Sequence, residues 1–224
     1  MFRIKICGIT NVDDALAAAD AGADAIGLNF FSKSRRFVTL EVARQIAATL
    51  PATVTKVGVF VNHSTADIAS TVEQVGLDCI QLHGDEPAQV IAELPAAQPV
   101  VRAWRSSRAD LESLIVYLGL CRLTGRVPDA ILMDTATDSY GGAGRVADWN
   151  AIAAHRYTFA DVPLILAGGL TPENVAHAVV AVRPDGVDVA TGVESRPGHK
   201  SAALILRFIS AACAAFERGS KNGS

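Results

Sequence analysis

One feature constrains this chain more than any other. A short apolar, β-branched run followed by a segment of helical periodicity recurs eight times. The strand-like runs cover residues 4–9, 25–30, 55–61, 79–82, 100–104, 130–133, 163–167 and 186–190. The helical segments cover 12–20, 40–50, 66–75, 87–93, 109–120, 149–155, 172–182 and 202–217. A helix between two strands lets the second strand run parallel to the first, so each alternation reads as a βαβ unit. Eight units predict an α/β chain folded as a single-domain (β/α)8 TIM barrel, and 224 residues is near the lower end of what that fold occupies. The barrel is expected over residues 1–218, with a frayed polar tail over 219–224. An open doubly wound sheet would be favoured by a G-x-G-x-x-G turn after the first strand. The chain reads Cys7-Gly8-Ile9-Thr10-Asn11 there instead.

Capping signals mark several helix starts. Asn11 with Asp14, Ser64 with Asp67 and Ser107 with Asp110 pair an acceptor with a carboxylate three residues on, as a capping box requires. Thr171 precedes Pro172, which puts a capping oxygen ahead of a proline at the first helical position.

Composition narrows the partners. With 20 basic and 23 acidic side chains the net charge is −3, which offers no global field for nucleic acid or an anionic membrane. Apolar runs are broken well short of the roughly 18 residues that a span requires, and the first residues lack the features of a secretory signal. A cytoplasmic protein with no nucleic-acid and no membrane partner is expected. Cys7, Cys79, Cys121 and Cys213 form no C-x-x-C pair and suit no disulfide framework. The last three are expected as small buried hydrophobes. The five histidines form no H-E-x-x-H or His/Cys cluster, so no metal site is expected.

In a barrel of this kind chemistry gathers at the C-terminal ends of the strands, so polar residues closing a strand are the first candidates. Cys7 closes the first strand, and strand parity puts it on the same inward face as Lys5, a cation that would favour thiolate. Asp134 closes the sixth strand after four apolar residues. Asp188 is inward on the eighth strand, adjacent to the first, and is expected to pair with Lys5, since two lone buried charges would each be costly. Gln81 and His83 share one face at the end of the fourth strand, where His83 suits either a general base or a hydrogen-bonding wall. Of Arg35 and Arg36, one suits a carboxylate ligand through its bidentate fork. Glycine-rich segments follow three strands: Gly141-Gly142-Ala143-Gly144, Gly168-Gly169 and Thr191-Gly192. Loops after strands seven and eight are where such barrels bind phosphate through backbone amides, so Gly142, Gly144, Gly168, Gly169, Thr191 and Gly192 read as a phosphate site.

Taken in order, these motifs resemble the phosphoribosylanthranilate isomerases of tryptophan biosynthesis. The likeness runs from Lys5 to about Lys200 and includes Lys5-Ile6-Cys7-Gly8, Gln81-Leu82-His83-Gly84, Leu132-Met133-Asp134-Thr135, Ala167-Gly168-Gly169-Leu170 and Gly192-Val193-Glu194. The resemblance implies an Amadori rearrangement that uses no metal and no cofactor, on a small phosphorylated substrate; for assembly, monomer and homodimer both stay open. It also implies Cys7 as general base, Asp134 as general acid, Arg36 on the anthranilate carboxylate and Asp188 as a supporting carboxylate. The chain departs from the family pattern at Thr191, where serine is usual, and at Ser201, where aspartate is usual. Two other readings compete with this one. A related sugar-phosphate isomerase of histidine biosynthesis uses aspartates at both catalytic positions, and Cys7 argues against it. A noncatalytic barrel that only binds a phosphorylated metabolite would have lost the acid or the base.

Overall fold

Eight parallel strands close on themselves in strict sequence order, each neighbour hydrogen-bonded to the next and β8 returning to β1. The structure is a computed structural model that describes residues 1–105, 108–134, 149–155 and 161–221. The barrel strands are β1 (Ile4–Cys7), β2 (Ala25–Asn29), β3 (Thr55–Phe60), β4 (Cys79–Leu82), β5 (Val100–Arg105), β6 (Ala130–Asp134), β7 (Leu164–Leu166) and β8 (Gly186–Val189). Between and after them run α1 (Val12–Asp20), α2 (Leu40–Thr49), α3 (Thr65–Val75), α4 (Ala88–Glu93), α5 (Arg108–Leu123), α6 (Trp149–His155), α7 (Val175–Val182) and α8 (Ala202–Lys221). The expected fold is the observed one.

Strand parity sorts the core into two layers. Ile4, Ile6, Ile26, Leu28, Ile80, Leu82, Ile131, Met133, Val187 and Val189 point outward against the helices. The inside is filled by Ala25, Val57, Cys79, Val101, Ala103, Ala130, Leu132, Ile165 and Ala167, together with Phe2. Alternation along every strand therefore sends Lys5, Cys7, Gln81, Asp134 and Asp188 inward.

The caps at Asn11 and Ser64 form as expected, each side chain accepting from the backbone N–H three residues on. Thr39 caps α2 in the same way, which the sequence reading passed over. Ser107 and the Asp110 side chain lie outside the described residues. Thr171 Oγ1 does accept from the Glu173 N–H at 3.2 Å. The regular helix nevertheless starts at Val175, not Pro172, because Asn174 takes φ −112° and the first turn is irregular. At the other end α8 runs on to Lys221, so the chain is helical past residue 219, and residues 222–224 lie outside the description. Cys79 and Cys121 are buried, but Cys213 is exposed on the outer side of α8.

One element was not expected. After β8 a 3-10 turn (Thr191–Val193) leads into an antiparallel pair, β9 (Glu194–Arg196) and β10 (His199–Lys200). Pro197-Gly198, with Gly198 at φ 80°, makes the turn between them. A Pro-Gly dipeptide is a turn signal, so the hairpin was legible in principle.

Candidate active site

The thiol end of β1 is built on a buried ion pair. Parallel register sets Lys5 beside Asp188 of β8 on one side and Ala25 of β2 on the other. Lys5 Nζ lies 2.8 Å from Asp188 Oδ1, with the lysine wholly buried. Burial works against the Lys5 charge, but Asp188 and then Cys7 outweigh it and hold the ammonium above its ordinary range. Cys7 sits one inward step above. Burial pushes its thiol up from the ordinary value, Lys5 pulls against that, Asp188 adds to it, and Lys200 pulls it down again. The cation beneath the thiol is thus present as expected, and it offsets burial without overcoming it.

Space for this stack comes from β2. Gly27 pairs with Cys7, and a Cβ there would lie 2.7 Å from Cys7 Sγ and 3.1 Å from Lys5 Cε. Gly27 was not singled out from the sequence, although a glycine inside a strand run is itself a sign of close approach.

Arg36, not Arg35, enters the rim. Its aliphatic stem crosses Gly8, where a Cβ would collide with Cδ. Its Nε donates to Glu194 Oε1 at 2.6 Å, and its Nη2 donates to Glu194 Oε2 at 2.8 Å and to Thr191 Oγ1 at 3.1 Å. Lys200 Nζ donates to the same Glu194 carboxylate at 3.1 Å and to the Ala190 carbonyl at 2.9 Å. Burial opposes the Glu194 charge, yet Arg36 and Lys200 together lower its pKa below the usual carboxylate value. Burial likewise lowers the Lys200 pKa, only partly offset by Glu194. Neither Glu194 nor Lys200 was proposed as a site residue.

Across the mouth, β4 and β6 present a different set. Gln81 is fully buried and its Nε2 stands 2.8 Å from His83 Nδ1. His83 Nε2 stands 3.4 Å from Asp134 Oδ2. Gln81 Oε1 is buried with no hydrogen-bond partner among the described residues. The chain after β4 is fixed from behind. Glu86 accepts from the Asn62 N–H at 2.7 Å and the Gly84 N–H at 2.9 Å, and Arg102 donates to the Gly84 carbonyl at 3.0 Å. Arg102 is itself buried, with its guanidinium 5.0 Å from the Trp104 ring. Glu86 and Arg102 were missed because a single carboxylate and a strand arginine carry no local pattern.

The expected glycine sites are partly in view. Gly168 and Gly169 take φ of 81° and 67° after β7, a backbone that β-carbon-bearing residues avoid. Gly192 packs against the Leu170 carbonyl so closely that a Cβ would collide with it. The loops after β7 and β8 therefore meet. Gly142 and Gly144 lie outside the described residues. Those residues contain no group of three His, Cys, Asp or Glu able to hold a metal ion, and no helix among them is long and apolar enough to cross a membrane.

A closed (β/α)8 barrel with an inward thiol, an inward carboxylate and glycine-bearing loops at one rim defines a TIM barrel whose polar groups gather at the C-terminal ends of its strands. The family profile described as N-(5'phosphoribosyl)anthranilate (PRA) isomerase matches residues 4–211. A curated Myxococcus xanthus relative named N-(5'-phosphoribosyl)anthranilate isomerase is 43% identical over 94% of this chain and 95% of its own. The crystal structure of the Thermotoga maritima phosphoribosyl anthranilate isomerase superimposes with a TM-score of 0.85 at 41% identity, covering 96% of this chain and 100% of that one. A further phosphoribosyl anthranilate isomerase structure, in complex with reduced 1-(o-carboxyphenylamino)-1-deoxyribulose 5-phosphate, aligns with a TM-score of 0.82 at 39% identity over 96% of this chain and 100% of its own. The chain belongs to the phosphoribosylanthranilate isomerase family of tryptophan biosynthesis.

Proposed function

We propose that the chain converts N-(5-phosphoribosyl)anthranilate into 1-(2-carboxyphenylamino)-1-deoxyribulose 5-phosphate with Asp134 as general acid and Cys7 as general base. Asp134 gives its proton to the furanose ring oxygen, the ring opens to a protonated imine, and the Cys7 thiolate removes the proton on C2. The enolamine that results tautomerises to the ketone. The observation that carries this reading is the inward thiol standing on the buried Lys5–Asp188 pair. A thiol buried without a cation would stay protonated, and Lys5 together with Lys200 supplies the charge that lets a thiolate form. The acid has a different neighbour in His83, whose Nε2 lies within 3.4 Å of its carboxylate.

Substrate binding follows the same division. Arg36 takes the anthranilate carboxylate, since two of its five donors, both on Nη1, are used by none of the described residues. Gly168, Gly169, Thr191 and Gly192, with Gly142 and Gly144, cradle the phosphate. The compound bound in the relative's crystal carries both groups, a carboxyphenyl ring and a 5-phosphate. Gln81 Oε1, a buried acceptor, receives a sugar hydroxyl, His83 lines the same wall, and Asp188 supports the base through Lys5.

The test is loss of anthranilate-type fluorescence with freshly made substrate. The native chain consumes the signal, and Cys7→Ala and Asp134→Asn each abolish consumption while still binding the reduced product analogue. Near-normal turnover in either variant would overturn the assignment.

A further inference from the structure

Glu194 occupies an odd place for a carboxylate, because it lies beside the arginine that is proposed to bind the substrate's own carboxylate. The contact is bidentate, 2.6 Å from Nε and 2.8 Å from Nη2, and the Glu194 side chain is nearly inaccessible. If it merely neutralised Arg36, the site would be built to reject the anion it needs. Two observations speak against that. Lys200 shares the same carboxylate at 3.1 Å, so Arg36, Lys200 and Glu194 together keep one positive charge in surplus. Three of the five Arg36 donors are also spoken for, two by Glu194 and one by Thr191, and none of the described residues accepts from Nη1.

The hairpin that carries Glu194 and Lys200 is itself tied down. Thr10 Oγ1 donates to the Gly198 carbonyl at 2.6 Å, the Lys200 N–H donates to Asp14 Oδ2 at 2.9 Å, and the Ser201 N–H donates to the Val193 carbonyl at 2.9 Å. Gly8 removes the one side chain that would block the arginine stem. Loops after β1, β2 and β8 thus converge on one guanidinium. A long side chain fixed in advance loses less entropy when it binds, and planar forks gain most from such fixing.

We infer that Glu194 is a positioning residue that holds Arg36 by its Nε/Nη2 edge, leaving the two Nη1 donors to select substrates that bear a carboxylate. The inference rests on the reading of Arg36 as the carboxylate-binding arm. Lys200 takes up the charge of Glu194, and the β9–β10 hairpin joins the carboxylate arm to the Thr191-Gly192 side of the phosphate loop.

The experiment measures kcat and KM separately for N-(5-phosphoribosyl)anthranilate and for N-(5-phosphoribosyl)aniline, which lacks the carboxylate. Glu194→Gln raises KM for the first about 10-fold, the size of one charge-assisted hydrogen bond. It leaves kcat within about twofold and the aniline KM unmoved. Placed on Arg36→Met it adds nothing further. Glu194→Asp keeps the charge but is too short to hold both contacts, and raises the same KM about threefold. This variant serves if the glutamine variant does not fold. A KM for the carboxylate substrate that falls or stays unchanged, or equal losses on both substrates, overturns the positioning role. An unchanged KM in Arg36→Met alone overturns the Arg36 reading itself, so the two failures are distinguishable.

Discussion

On the β1–β8 side of the rim, Lys5 meets Asp188 at 2.8 Å and Arg36 meets Glu194 at 2.6 Å, whereas on the β4–β6 side His83 and Asp134 stand 3.4 Å apart. The first side is a lattice of opposed charges around a thiol. The second is a run of side-chain contacts, Gln81 to His83 to Asp134, braced behind by the buried Glu86–Arg102 ion pair at 3.3 Å. The difference fits the roles proposed for the two groups. A thiolate in a buried place needs cations held close, and these must themselves be balanced or they would cost several kcal/mol each. A carboxyl that is to donate a proton needs the opposite, a neighbour that does not pin it as an anion.

This contrast can be broken by substitution, and the largest effects come from the reacting groups. Removing Cys7 or Asp134 should lower kcat by about 10³-fold or more, within the range of general acid–base catalysis at its upper end. Circular dichroism should show an intact barrel in both.

Lys5→Met comes next. It leaves Asp188 unpaired and buried, which should destabilise the fold by about 3–5 kcal/mol in a denaturant titration. It also removes the largest influence that lowers the Cys7 pKa. Less thiolate then forms at neutral pH, and kcat/KM should fall by about 10- to 100-fold with partial recovery as pH rises. Lys5→Met with Asp188→Asn should regain much of the stability and little of the rate.

The pH dependence of the native chain has the same sign. Because burial raises the Cys7 pKa, its thiolate fraction grows with pH across the neutral range, so kcat/KM should climb on the acid limb beyond the point where an ordinary thiol would level off. Gly27→Ala tests the packing of the same side. The added methyl meets Sγ at 2.7 Å, and the shift it forces should cost about 1–3 kcal/mol and several-fold in kcat.

On the other side Gln81→Leu should have the smallest effect on kcat, about threefold, because it removes a tether of His83 and no charge, with the lost sugar-hydroxyl acceptor showing as a rise in KM. Larger loss from Gln81→Leu than from Lys5→Met would invert the comparison.

The sequence made the barrel legible because period and repetition are local properties: eight alternations with capped helix starts admit few other topologies. Parity then carried Lys5, Cys7 and Asp188 to the inside, and its place closing a strand put Asp134 at the rim, without any structure. The readable part of the site was the part that ends a strand. Glu194, Glu86 and Arg102 were not found, since each acts through a partner 16 or 158 residues away, and nothing in a neighbouring pattern announces a long-range pair; Lys200 pairs six residues away with Glu194 itself, and Gly27 had a signal of its own, a glycine inside a strand run. The hairpin around Pro197-Gly198 was the one missed element with a local signal. Helix boundaries at Pro172 and beyond residue 217 slipped where a turn was irregular or a polar face let the helix continue.

The account turns on Cys7 as a thiol whose ionisation Lys5 governs. The direct measurement is the pH dependence of Cys7 alkylation by iodoacetamide, made in a Cys213→Ser background because Cys213 is exposed and would react first. The predicted result is an inflection above that of an ordinary thiol, moving higher again in Lys5→Met. An inflection that is unmoved or lowered by Lys5→Met would contradict the account.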